Sequence, residues 1–303
     1  MINHARLKAA ALSLIFCVSP VMAETVNIDT ARGEVAVEKS PQKIAVFDIP
    51  AVDTLNALGV PVTGTVEKMF VDYLDEVGKS ATVVGSLFEP DYKALSSMKP
   101  DLIIVGGRSS TTLDKVSKIA PAIDMTVWGD DLLKQVRQRL TSYGQLFDKE
   151  AKAEALVKEL DNALSEAKAA VADKGNGLII MTNGTKVSAF GAGSRFGWIY
   201  SALDLPASTE DISIANHGDT VSFEFILKQN PDWLLIVDRG AAIGQEGSSA
   251  KQTLDNEIMH KTKAWQNQQI IYLNSADIYI SSGGTQSQLR TLKQLTAAFN
   301  KAK

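Results

Sequence analysis

Two Rossmann-like α/β lobes joined by one long rigid helix are the fold this sequence predicts, and three observations carry that expectation. First, a nine-residue pattern occurs twice, at Pro100–Arg108 (PDLIIVGGR) and Pro231–Arg239 (PDWLLIVDR), 131 positions apart. Each copy is a Pro-Asp helix stop, an apolar run and an arginine, which reads as a buried parallel strand with a cation past its carboxyl end. Ligands of open α/β sheets bind beyond that end. Second, short apolar runs alternate with helical patterns on both sides of residue 150. Third, residues 149–173 repeat Leu156, Leu160, Ala163, Leu164, Ala167, Ala170 and Val171 at helical spacing, with no Gly or Pro before Gly175. About 24 residues at 1.5 Å each make a helix of roughly 36 Å, a stiff linker rather than a tether.

The elements follow in order. Thr25–Ile28 and Gly33–Val37 read as a hairpin or edge segment, and Lys43–Asp48 as a strand. Ala51–Leu58 is a helix that Gly59 and Pro61 stop, and Val62–Val66 is the next strand. Tyr92–Met98 is a short helix leading into strand 101–105. Leu113–Ile119 reads as helical and Met125–Trp128 as a strand. After the long helix come strands Leu178–Met181 and Val187–Phe190, a helix after Phe196, and a helix over 223–228. Strands 233–237 and Ile270–Leu273 then precede a closing helix from about residue 285. Domain limits on this reading are a leader at 1–23, a first lobe at 24–148, a connecting helix at 149–174 and a second lobe at 175–303.

The leader reads as a cleaved signal peptide. Arg6 and Lys8 precede an apolar stretch from Ala9 to Val18, and Val21–Ala23 supplies small residues for the cut. A lipid anchor requires a small residue before its cysteine, whereas Phe16 precedes Cys17, the chain's one cysteine. The mature chain is therefore expected without thiols, unanchored, soluble and in a periplasm. Loss of Arg6 and Lys8 takes the formal charge from −4 to −6, which disfavours nucleic acid as a partner. Any anion site must then be a local cluster of arginines.

Arg108 and Arg239 supply two such cations, and the loop Gly191–Gly197 supplies Arg195 near a helix N-terminus. That loop lacks both the dinucleotide fingerprint and the P-loop Lys-Ser/Thr. The leader apart, the chain holds two histidines: His260 in a polar, surface-type stretch, and His217 in the loop Asn216–Asp219. Tyr279 is placed where a strand end meets the Gly-rich turn Ser281–Gly284.

Across essentially the whole mature chain, these residues resemble periplasmic substrate-binding proteins of iron-siderophore ABC importers, in particular catecholate binders of the petrobactin, enterobactin and vibriobactin type. The carriers are Gly106–Ser110, Gly193–Gly197, Asn216–Glu224, Val237–Arg239 and Tyr279 before Ser-Ser-Gly-Gly. The resemblance implies the class III, cluster A binding-protein fold and a monomer that delivers its ligand to an inner-membrane permease and its ATPase. It implies that Arg108, Arg195 and Arg239 cradle catecholate oxygens, and that His217 and Tyr279 bind Fe(III) directly when the siderophore leaves coordination positions open. It also implies permease contacts through Glu224 in the second lobe; in the first, Lys93 holds the matching position, and Glu89, one helical turn earlier, is the substitute. The cargo is Fe(III) as a siderophore complex, with no intrinsic cofactor. Oxygen donors suit ferric iron, and planar guanidinium forks suit catecholate edges.

Other functions fit less well. Bare zinc or manganese requires more His, Asp or Cys ligands than one loop histidine. Haem or cobalamin is the alternative cargo, with His217 and Tyr279 available to haem iron. An exported hydrolase would need more than Ser194 and His217, since the chain has no Gly-x-Ser-x-Gly elbow.

Overall fold

The computed structural model describes residues 24–129, 131–212 and 218–301. Residues 1–23, read above as a leader, and His217 lie outside the described residues. Twelve strands appear among them. In the first half these are β1 (Thr25–Thr30), β2 (Gly33–Glu38), β3 (Ile44–Val46), β4 (Gly64–Thr65), β5 (Thr82–Val83), β6 (Leu102–Val105) and β7 (Ala122–Asp124). In the second half they are β8 (Gly177–Asn183), β9 (Lys186–Phe190), β10 (Asp219–Thr220), β11 (Trp233–Asp238) and β12 (Ile270–Tyr272).

β1 and β2 form the antiparallel hairpin read from the sequence. A five-stranded sheet of order β5-β4-β3-β6-β7 has parallel pairing throughout. The second sheet, β10-β9-β8-β11-β12, is mixed: β8, β11 and β12 run parallel, while β9 and β10 pair antiparallel. The reversal is local. Gly184-Thr185 turns the chain between β8 and β9 with Gly184 at φ 59°, the left-handed conformation such hairpins use.

The two repeats become β6 and β11, each flanked by two neighbours and buried along its apolar run. Their arginines therefore stand at the carboxyl edges of the two sheets. The expected strand Met125–Trp128 is displaced to Ala122–Asp124. Register sets the limit: Ile103, Ile104 and Val105 pair with Ala122, Ile123 and Asp124, and β6 ends there. Val127 and Trp128 then face the cleft instead of a strand partner. Leu132–Leu146, not read from the sequence, is a 15-residue helix. Tyr279, placed at a strand end, instead closes a helix at Ser275–Tyr279 whose cap is Asn274.

The long helix spans Glu150–Val171, 22 residues or about 33 Å. Its buried face is rich in alanine (Ala153, Ala163, Ala167, Ala170), and the closing helix Thr285–Lys301 packs along it. One apolar core runs from the first sheet through this helix pair into one face of the second sheet.

The closing helix takes its N-terminal cap from the other lobe. Gly284 precedes it and has no side chain to offer. Asp53, fully buried on helix Ile49–Leu58, accepts from Gln286 N at 2.7 Å and Ser287 N at 3.0 Å. Thr54 Oγ1 takes Thr285 N at 3.2 Å. The carboxylate also accepts from Tyr73 Oη at 2.6 Å and Ser281 Oγ at 3.3 Å. A Cβ at Gly284 would come within 2.5 Å of Asp53 Cγ, so glycine is what admits the foreign carboxylate. Burial pushes the Asp53 carboxyl up to about 6, against the pull of these donors.

Candidate anion site between the lobes

β6 ends in a turn that only glycine allows. A Cβ on Gly106 would fall 2.7 Å from Asp48 Cγ, and Gly107 sits at φ 50°. Gly107 N donates to Thr126 Oγ1 at 2.9 Å, and Ser109 Oγ accepts from Gly106 N at 3.1 Å. Arg108 leaves this turn half-buried, and its Nη2 donates to the Tyr279 carbonyl at 2.8 Å.

Arg195 rides on the Gly191–Gly197 loop. A Cβ on Gly197 would come within 2.6 Å of Gly193 N, and Gly193 is at φ 80°. Ser194 Oγ is buried and donates to the Gly191 carbonyl at 2.7 Å, which makes it part of the turn. Arg195 Nη2 donates to the same Tyr279 carbonyl at 3.0 Å, and its guanidinium carbon lies 4.3 Å over the Tyr279 ring. Burial lowers this guanidinium to about 10, and the charge on Arg108, with that on Arg239, adds to the effect.

Arg239 opens a short helix, Arg239–Ile243, capped by Asp238 at the end of β11. Its Nε donates to Tyr279 Oη at 3.1 Å and its Nη1 to Asn183 Oδ1 at 3.3 Å. All three arginines thus converge on Tyr279, two at its carbonyl and one at its phenol. Burial pushes the phenol up, but the Arg239 hydrogen bond and the three guanidinium charges outweigh it, and Tyr279 ends below the usual tyrosine range. A phenol so placed gives up its proton more readily, to a metal or to an incoming oxyanion.

The cleft encloses about 60 Å3 and is lined by Asp48, Arg108, Trp128, Arg195, Tyr279 and Ser282 among others. Ser282 Oγ is buried there without a protein partner. A larger groove of about 740 Å3 lies beside β12 and the closing helix, but Lys301 is its sole charged lining residue. The chemistry gathers in the small cleft.

Sequence reasoning brought Arg108, Arg195, Arg239 and Tyr279 forward, and the structure puts these four side chains in one place. It puts Glu224 on the surface in the first turn of helix Phe223–Gln229. Glu89 is also exposed, but it is not one helical turn before Lys93. It belongs to a tight Ser86–Glu89 turn, and the helix begins only at Tyr92 because Asp91 caps it. His260 lies 2.7 Å from Asp255 and stacks on Trp265, a surface arrangement. His217 lies outside the described residues.

Asp48 was missed. Its signal is a lone carboxylate at the end of a buried strand, two residues before Pro50. Burial pushes its carboxyl up to about 7, against the pull of the Ala51 N–H and of Arg108. The native state then holds this proton more tightly than the unfolded chain, whose Asp titrates near ~3.9. Its contribution is full below about pH 4 and is lost as pH rises to about 7. Asp48→Asn should flatten that descent in the thermal midpoint. Parallel profiles for the two proteins would remove Asp48 from it.

Two α/β lobes with a cluster of arginines at the cleft between them define a two-lobe ligand-binding protein. The chain belongs to the periplasmic binding protein family, whose profile covers residues 44–276. It is 36% identical over 282 residues to the petrobactin-binding protein YclQ of Bacillus subtilis, spanning 91% of this chain and 88% of that protein. It is 30% identical over 268 residues to the ferric-anguibactin-binding protein FatB of Vibrio anguillarum, spanning 86% and 83%. The crystal structure of YclQ superposes with a TM-score of 0.85 at 34% identity, over 91% of this chain and 99% of that one. The periplasmic catecholate-siderophore binding protein VctP of Vibrio cholerae gives 0.85 at 30% identity, over 90% and 100%.

Proposed function

We propose that this protein captures ferric catecholate siderophores in the periplasm and delivers them to an inner-membrane ABC permease driven by its ATPase. The observation that carries the reading is the convergence of Arg108, Arg195 and Arg239 on one tyrosine at the cleft. Three fixed cations in an acidic protein favour a compact oxyanion, and guanidinium forks match the paired oxygens of a catecholate edge. The names of the relatives, petrobactin-binding and catecholate-siderophore-binding, agree with that chemistry. The protein works as a monomer and is not an enzyme; export through a cleaved leader, without a lipid anchor, puts it in reach of its ligand. Glu224 and Glu89, both exposed, are the permease contacts.

Iron is the cargo. A siderophore with three catechols fills its six positions, and one with two leaves two open. Tyr279, with its phenol lowered by the arginines, and His217 close the shell in the second case. Fluorescence titration of the mature protein with a panel of ferric siderophores tests the capture, and tight quenching by catecholates is expected. Tyr279→Phe should weaken a two-catechol ferric complex by roughly tenfold or more, the loss of a charge-assisted contact, and a three-catechol complex much less. Equal losses would argue against direct iron ligation.

A further inference from the structure

Among the described residues three large apolar side chains are exposed: Val83, Phe88 and Trp128. Val83 lies on an edge strand and Phe88 in the turn that follows it. Trp128 is different because it lines the arginine cleft while remaining 46% exposed. A single exposed apolar side chain is ordinary on a protein surface. One held in the wall of a charged binding cleft is not explained by packing.

The backbone at Trp128 is also held in place. The Gln135 side chain clamps the Trp128 backbone from both sides: Trp128 N donates to Oε1 at 3.2 Å, and Nε2 donates to the Trp128 carbonyl at 2.5 Å. Gly129 follows at φ 85° and lets the chain turn away. The preceding Val127 abuts Gly283 of the opposite lobe, where a Cβ would stand 3.2 Å from Val127 Cβ. The backbone that carries the ring is therefore fixed before any ligand arrives, in the wall of the cleft that Arg108, Arg195 and Tyr279 also line.

A ferric complex built from carboxylates has charge but no flat face. A catecholate has both, with oxygens along one edge of the ring and an apolar face at right angles to them. Guanidinium groups take the edge, and an indole takes the face. We propose that Trp128 is a specificity-determining residue of this site, stacking on an aromatic ring of the ferric ligand while the arginines hold its oxygens, so that ring-bearing complexes are preferred over ring-free ones. This rests on the function proposed above and adds a selection rule to it.

The test compares the unaltered mature protein with Trp128→Ala and Trp128→Phe. Calorimetric titrations use a ferric bis-catecholate and, as the ring-free probe, ferric citrate. Trp128→Ala should lose roughly tenfold in catecholate affinity, the size of one aromatic stacking contact. Its ferric citrate titration should match that of the unaltered protein, and Trp128→Phe should recover most of the catecholate loss. Because the side chain is exposed, the thermal midpoint should not move, which separates recognition from folding. Catecholate binding unchanged in Trp128→Ala, or no recovery with Phe, would overturn the Trp128 assignment alone. Failure of the unaltered protein to bind the ferric catecholate would overturn the proposed function and this assignment together.

Discussion

Arg195→Gln is expected to weaken binding of a ferric catecholate by roughly 30- to 1,000-fold, about 2–4 kcal/mol, without lowering the thermal midpoint of the ligand-free protein. The two halves of this prediction have one cause. Arg195 is largely withdrawn from water and feels the charges of both Arg108 and Arg239, so its charge is held against burial and repulsion together. In the ligand-free protein it is relieved by the Tyr279 carbonyl and by the faces of Tyr279 and Phe196. An arriving oxyanion neutralises the cluster, and its affinity includes the relief of that repulsion. Glutamine keeps the length and a donor but removes the charge. Titration calorimetry and a melting curve on the same variant check both halves. A variant that melts earlier by many degrees would make Arg195 a structural residue, and one that binds as before would remove it from the site.

Asp53→Ala carries the largest expected loss of stability. The substitution leaves Gln286 N, Ser287 N and the Tyr73 hydroxyl without their acceptor inside the interface. Unsatisfied buried donors cost about 1–3 kcal/mol each and do not add fully, so a loss of about 3–5 kcal/mol is expected. For a chain of this size that lowers the thermal midpoint by roughly 10 °C. Asp53→Asn keeps an acceptor and should lose much less. The effect should also reach the cleft. Ser281 joins the same carboxylate two residues after Tyr279, and Arg290 on the closing helix holds Asp277, also on the Tyr279 helix, at 2.8 Å. A midpoint within a degree or two of the unaltered protein would show that water or another group replaces the carboxylate.

The frame of this fold was legible because its signals are local. Pro-Asp before a β-branched run marked β6 and β11, and alanine and leucine at helical spacing marked Glu150–Val171. Arg108 and Arg239 were found because they end those two repeated runs, and Arg195 because a Gly-rich loop places it near a helix start. What escaped depends on distant partners. The end of β7 is set by its register with Ile103–Val105, so the apolar Met125–Trp128 run misled. The Ser275–Tyr279 helix is too short to show a period, although Asn274 was its cap signal. Leu132–Leu146 could have been found from Leu133, Val136, Leu140 and Tyr143 at three- and four-residue steps. No spacing in the sequence joins Asp53 to Gln286, or Asp48 to Gly106. The first contact exists only once the lobes have packed, and the second only once β3 and β6 have paired.

If three guanidinium groups from both lobes surround one iron-bearing anion, anomalous diffraction at the iron edge, from crystals grown with a ferric bis-catecholate, will locate that iron among them. A single iron peak in the cleft is expected, with catecholate oxygens about 3 Å from Arg108, Arg195 and Arg239. An iron peak elsewhere on the protein, or a ligand in the cleft that meets none of these arginines, would contradict it.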